Sequence, residues 1–126
     1  MNTVTEFRTA VADCLREAGF KAFEYVHEKP VAPCVLVVPD DPYLVGGSTF
    51  GSFQIRLTVA LIPAKGINKQ RAEELDEMLV RAITALDTND FDGLEVASPE
   101  DLRLNDVSHI GVRITVEADI KIKEAV

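Results

Sequence analysis

The chain has 126 residues, 13 basic against 21 acidic, with 47% hydrophobic and 27% charged side chains. That balance suits one folded domain and excludes a disordered or fibrous chain. No apolar run approaches the ~20 residues of a membrane-spanning helix, and a net charge of −8 argues against free nucleic acid as the main partner, because such binding rests on cations neutralising phosphates.

The first residues, Met1-Asn2-Thr3-Val4-Thr5-Glu6, have neither a basic region nor an apolar core, so no signal peptide is expected. Thr3 and Glu6 fit a capping box. Phe7, Val11, Cys14, Leu15 and Ala18 recur at helical spacing, and Gly19 is placed to end this first helix as its C′ residue. Phe20 to Val26 predicts a strand. Pro30 and Pro33 bracket a turn, and Cys34-Val35-Leu36-Val37-Val38 predicts a short, central strand.

Pro39 to Ser52 predicts a long irregular loop, since it holds Pro42, Gly46, Gly47 and Gly51. Its apolar residues Tyr43, Leu44, Val45 and Phe50 are more than a solvated loop needs, and make it a candidate assembly element. Phe53, Ile55, Leu57, Val59 and Leu61 then alternate with their neighbours as a long half-buried strand. Asn68 is the expected N-cap of a second helix, whose apolar stripe is Ala72, Leu75, Met78, Leu79, Ala82, Ile83 and Leu86. Leu94–Ala97 predicts a short strand between the turns at 90–93 and 98–101. Val112, Ile114, Val116, Ala118, Ile120 and Ile122 predict a second long strand over 110–122.

This order predicts an α+β domain: a mostly antiparallel sheet, two helices packed on one face, and long strands that project beyond the core. The acid is unevenly spread. Residues 73–106 carry eleven acids against only Arg81 and Arg103, while residues 1–72 carry seven acids and eight bases. Glu73, Glu74, Glu77, Asp90, Asp92 and Glu95 therefore mark one acidic sector, either a solvated surface or a field that repels DNA and steers a basic partner. Glu77 and Arg81 are spaced for an i, i+4 pair.

No catalytic, cofactor or metal constellation is legible. His27 and His109 are the only histidines, and Cys14 and Cys34 fall on expected core faces, where a thiol acts as a small hydrophobe. Their spacing lacks the second CxxC of a zinc site, and unpaired buried thiols fit a reducing compartment. Gly46 and Gly51 mimic a phosphate-binding loop, but Ser52-Phe53 stands where Lys-Ser/Thr is required. Thr88-x-Asp90-x-Asp92-Gly93 mimics a calcium loop, but Thr88 replaces its first acid and Pro99 its bidentate glutamate.

The run Pro33-Cys34-Val35-Leu36-Val37-Val38-Pro39-x-x-Pro42-Tyr43, followed by Phe50-Gly51-Ser52-Phe53-x-Ile55-Arg56-Leu57 and then the 68–86 helix, resembles the tail terminator proteins of long-tailed bacteriophages, in particular those of phages of actinobacteria. The resemblance implies a non-enzymatic virion protein of the tail and neck, made in the host cytoplasm. It implies a homohexameric ring that caps the tail tube, stops its polymerisation and offers a docking surface to the head–tail connector or stopper protein. DNA would pass through the channel without specific binding. Tyr43, Leu44, Val45, Gly46, Gly47 and Phe50 are then expected at an interface, and the acidic sector at the channel or the docking face. Alternatives are a head-completion protein of the same neck, a small oligomeric enzyme or ligand-binding protein, and an acidic DNA mimic. An enzyme would need His27 or His109 within reach of a carboxylate in a pocket, whereas a mimic would need carboxylates spaced like phosphates.

Overall fold

A computed structural model describes residues 3–24, 33–46, 52–64, 68–87, 93–104 and 107–121. Helix α1 spans Thr3–Glu17. It ends as its glycine predicts: Gly19 adopts φ 96°, Phe20 N–H bonds the Leu15 carbonyl at 3.1 Å, and Gly19 N–H bonds that of Arg16 at 3.0 Å. This is a Schellman closure, in which the glycine takes the left-handed turn that a Cβ disfavours. Phe20 thereby folds back into the core beside Leu15. The second helix, α2, spans Lys69–Asp87. Asn68 Oδ1 accepts the Arg71 N–H at 2.9 Å, the N-cap bond expected of that residue.

Among the described residues six strands form the sheet: β1 Ala22–Phe23, β2 Cys34–Gly46, β3 Ser52–Ile62, β4 Gly93–Val96, β5 Glu100–Leu104 and β6 Val107–Lys121. Their order is β1-β2-β3-β6-β4, with β5 also paired to β6. Among these described pairs only β1 and β2 run parallel. The domain is thus α+β with a mostly antiparallel sheet. β3 is flanked on both sides over most of its length, and β2, expected to be central, is interior where β1 and β3 flank Val35 and Leu36.

Alternation decides the core. Val35 and Val37 of β2, Leu57, Val59 and Leu61 of β3, and Val112, Ile114 and Val116 of β6 stand opposite one another in register, so they share one face of the sheet. They join Val11, Leu15, Leu75, Met78, Ala82 and Leu86 of the two helices in a single buried cluster. Burying each Val, Leu or Ile fully contributes about 1.5–3 kcal/mol. A smaller cluster lies apart from it, built on Cys34 and Ile62 with Phe23, Leu36 and Leu102 against them.

Three expectations need correction. Residues 40–46 are not loop but continue β2. The register passes from Pro39 opposite Leu57 to Leu44 opposite Ile55, so a bulge absorbs the extra residues. The prolines are tolerated because β1 pairs only with Val35 and Leu36, which leaves that edge of β2 without a partner among the described strands. Of the strand expected over Phe20–Val26, Ala22–Phe23 forms, and residues 25 and 26 lie outside the described residues. The turn expected at 98–101 is shorter, since Glu100 and Asp101 already belong to β5. Ala97 N–H still bonds Arg113 O at 2.9 Å, so β4 and β5 run as one interrupted edge along β6.

Candidate assembly surfaces

Among the described residues the long strands outrun their neighbours. β4 stops at Gly93 opposite Glu117, whereas β6 continues beside β3 to Lys121 opposite Ser52. A three-stranded end of β2, β3 and β6 therefore extends past the flanking strands. Its rows can be read from register: Leu44, Ile55 and Ala118 form one, and Gly46, Phe53 and Ile120 the next. Both rows lie on the face that carries the main core. Ile55 is fully buried, while Leu44, Phe53, Ala118 and Ile120 are half-buried.

Of the expected interface residues, Tyr43 is not a free tip. It is half-buried against the main cluster, its hydroxyl accepts a hydrogen bond from Arg8 at 2.8 Å, and the Arg8 guanidinium stands 5.9 Å from its ring centroid. Leu44 is half-buried as well. Val45 is 38% exposed, and Gly46 is exposed with nothing within 4 Å of where a Cβ would stand. Gly47 and Phe50 lie outside the described residues.

The opposite face of the same rows is polar. Arg56 pairs with Glu117 directly across the strand at 3.1 Å and with Asp40 at 3.2 Å, and Thr58 donates to Asp40 at 3.1 Å. All three charged side chains are between 22% and 28% exposed, so this knot is less screened than a surface pair. Sequence reasoning missed it because the pairing depends on register between residues sixty apart and on the β2 bulge.

The acidic sector is divided. Glu73 is exposed and faces Lys69 at 4.0 Å, and Glu77 is exposed on the next turn of α2. Glu74 is half-buried: it pairs with Arg71 and accepts the Ala64 N–H at 3.2 Å, pinning Ala64 just after β3. Arg81, the expected partner of Glu77, instead donates to the Ala18 carbonyl at 2.8 Å and stacks 4.4 Å over the Phe20 ring. Glu95 stands exposed on β4, a separate element. Asp90 and Asp92 lie outside the described residues.

A cleft of about 220 Å³ lies between Phe20, Lys21, Cys34, Glu77, Met78 and Arg81. Its thiol is poorly suited to attack, because burial pushes Cys34 up to about 11 and the reactive thiolate is suppressed. Burial also raises Cys14, with the Glu17 charge adding to it, and its Sγ donates to the Ala85 carbonyl at 3.1 Å. His109 is buried, its Nδ1 3.1 Å from the Pro63 carbonyl oxygen. An acceptor there requires Nδ1 to carry the proton, which makes His109 a structural clasp. His27 lies outside the described residues. Among the described residues no group of three or more His, Cys, Asp or Glu side chains is placed to hold a metal, and no helix is long and apolar enough to cross a membrane.

Comparison of the sequence with protein-family models and with curated proteins finds no match.

Proposed function

We propose that this chain is a self-assembling virion protein of the tail-terminator type, forming a ring of six that caps a phage tail tube and receives the head connector. One observation carries most of the support: the β2–β3–β6 end runs past its flanking strands with half-buried Leu44, Phe53 and Ile120 on its core-side face. Apolar area left at a projecting end forfeits about 25 cal/mol per Å² until something covers it. In a closed ring each end would lie against the next subunit, so every copy is covered. The formal charge of −8 on each chain also suits a channel that DNA must traverse without sticking.

The test has two steps. Phe53→Asp with Ile120→Asp should leave a folded protein by circular dichroism while preventing ring formation by the isolated chain. The unaltered protein, added to polymerising tail-tube protein of the phage that encodes it, should halt growth and appear at one tube end in electron micrographs. Tubes that grow to the same length with and without it would overturn this function.

A further inference from the structure

Glu77 and Arg81 stand four residues apart on α2, the spacing at which opposite charges on successive turns ordinarily pair. Here they form no ion pair. The Arg81 guanidinium is committed instead to the Ala18 carbonyl and to the face of Phe20. Among the described residues Glu77 has no hydrogen-bond or ion-pair partner, and neither has Lys21, which lines the same cleft from the segment between α1 and β1. Glu74, the other acid on the lining, is already held by Arg71 and the Ala64 amide.

The cleft thus sets two cations and one free carboxylate around apolar residues. Phe20, Met78 and Cys34 are buried and line it from below, and the Lys21 charge reaches the Cys34 thiol, where it opposes the effect of burial. Its volume of about 220 Å³ exceeds the ~150 Å³ that admits benzene and falls short of the ~300–1,000 Å³ of sites for drug-sized ligands. A ring or branched chain with a few further atoms is the size that fits. A simple anion would meet Glu77, and a simple cation would meet Lys21 and Arg81. A molecule carrying both charges on neighbouring atoms suits all three, and the Met78 thioether favours an apolar or aromatic body.

We propose that this cleft binds a free α-amino acid with an apolar side chain, its carboxylate towards Lys21 and Arg81, its ammonium towards Glu77, and its side chain on Phe20, Cys34 and Met78. The ligand bridges the charges that α2 spaces for a pair and leaves apart, and a charge-assisted hydrogen bond at each end fixes its orientation. Glu77 and Arg81 also border a shallower hollow with Asp76 and Val80. That hollow has no second cation and no buried residue on its lining, so it lacks both halves of the recognition. The proposal does not rest on the ring reading: Cys34 stands opposite Ile62, at the other end of β3 from the projecting rows.

The test is an amide NMR titration of the full-length chain with L-phenylalanine, with 3-phenylpropionate, which lacks the ammonium, and with phenethylamine, which lacks the carboxylate. L-Phenylalanine should give saturable shifts at Gly19, Phe20, Lys21, Cys34 and Met78, and bind about fivefold more tightly than either analogue. Lys21→Met should weaken L-phenylalanine and 3-phenylpropionate about fivefold and leave phenethylamine unchanged. Glu77→Gln should weaken L-phenylalanine and phenethylamine and spare 3-phenylpropionate. Lys21 and Glu77 are both exposed, so either variant keeps the fold. Equal affinity for the three compounds would overturn the site, because the cleft would then be an apolar surface and nothing more. Shifts confined to 76–84 would place binding in the shallower hollow and overturn it too, as would no saturable shift at the solubility limit of L-phenylalanine, or affinities that neither variant changes.

Discussion

Arg81 on α2 donates a hydrogen bond, 2.8 Å long, to the carbonyl oxygen of Ala18 just past the end of α1. The carbonyls at a helix C-terminus lack intrahelical donors and carry partial negative charge, so a guanidinium there satisfies one and meets the dipole favourably. The same group lies over Phe20, the residue that the Gly19 turn folds back. Arg81→Ala should therefore destabilise the domain by about 1–2 kcal/mol. Urea unfolding measures it, with Arg81→Lys recovering part of the loss. An effect under about 0.3 kcal/mol would reduce the contact to a surface ornament.

Gly111 and Gly19 should differ as alanine sites. At Gly111 the added carbon would meet Leu102 and also the Leu61 carbonyl oxygen at 2.9 Å, which is backbone and cannot swing away. Gly111→Ala should cost about 1–3 kcal/mol through forced displacement. Gly19→Ala should cost about 1 kcal/mol through its positive φ. Adding Leu102→Ala to Gly111→Ala should recover part of the first loss and none of the second, which a double-mutant comparison by denaturation would read.

Asn68→Ala should cost about 1 kcal/mol, because the Arg71 N–H loses its cap. Asn68→Asp should retain most of that stability. Equal stability of all three proteins would show that the start of α2 is held by packing alone.

Cys34 gives a pH dependence. Its ordinary value of 9.0 rises to about 11 on folding, chiefly by burial, with Lys21 opposing. A raised value means the unfolded thiol ionises first. The stabilisation is therefore complete below pH 9 and is lost as pH rises toward 11. Between those limits the unaltered protein should lose about 1–2 kcal/mol more than Cys34→Ala does. Parallel unfolding curves at pH 8, 9.5 and 11 would check this.

Local chemistry was readable in the sequence, and long-range geometry was not. Asn68, Gly19 and the stripe through Leu75, Met78, Ala82 and Leu86 declared themselves because caps and 3.6-residue spacing act within a few residues. Residues 40–46 misled because Pro39, Pro42 and Gly46 are turn formers anywhere except on an unpartnered edge with a bulge. Glu74 read as solvated because its partners, Arg71 and the Ala64 amide, compete with the simpler i, i+4 pattern. Arg81 left Glu77 for a backbone carbonyl on another helix, a choice only tertiary packing could present. Of the proposed assembly surface, apolar character was visible at Leu44 and Val45, but the setting of Tyr43 involves Arg8, thirty-five residues earlier.

The most direct test is the mass of the isolated protein in solution across a salt series, read by sedimentation and paired with electron-microscope images. Copies that each carry −8 repel one another, and salt shortens that repulsion to a Debye length of ~8 Å near physiological strength. Closed rings of six should therefore form more readily as ionic strength rises. Glu73→Lys with Glu77→Lys, which spares the structural Glu74, should shift their formation to lower salt. A chain that stays monomeric at every salt and concentration, or that forms open fibres in place of closed rings, would contradict the account.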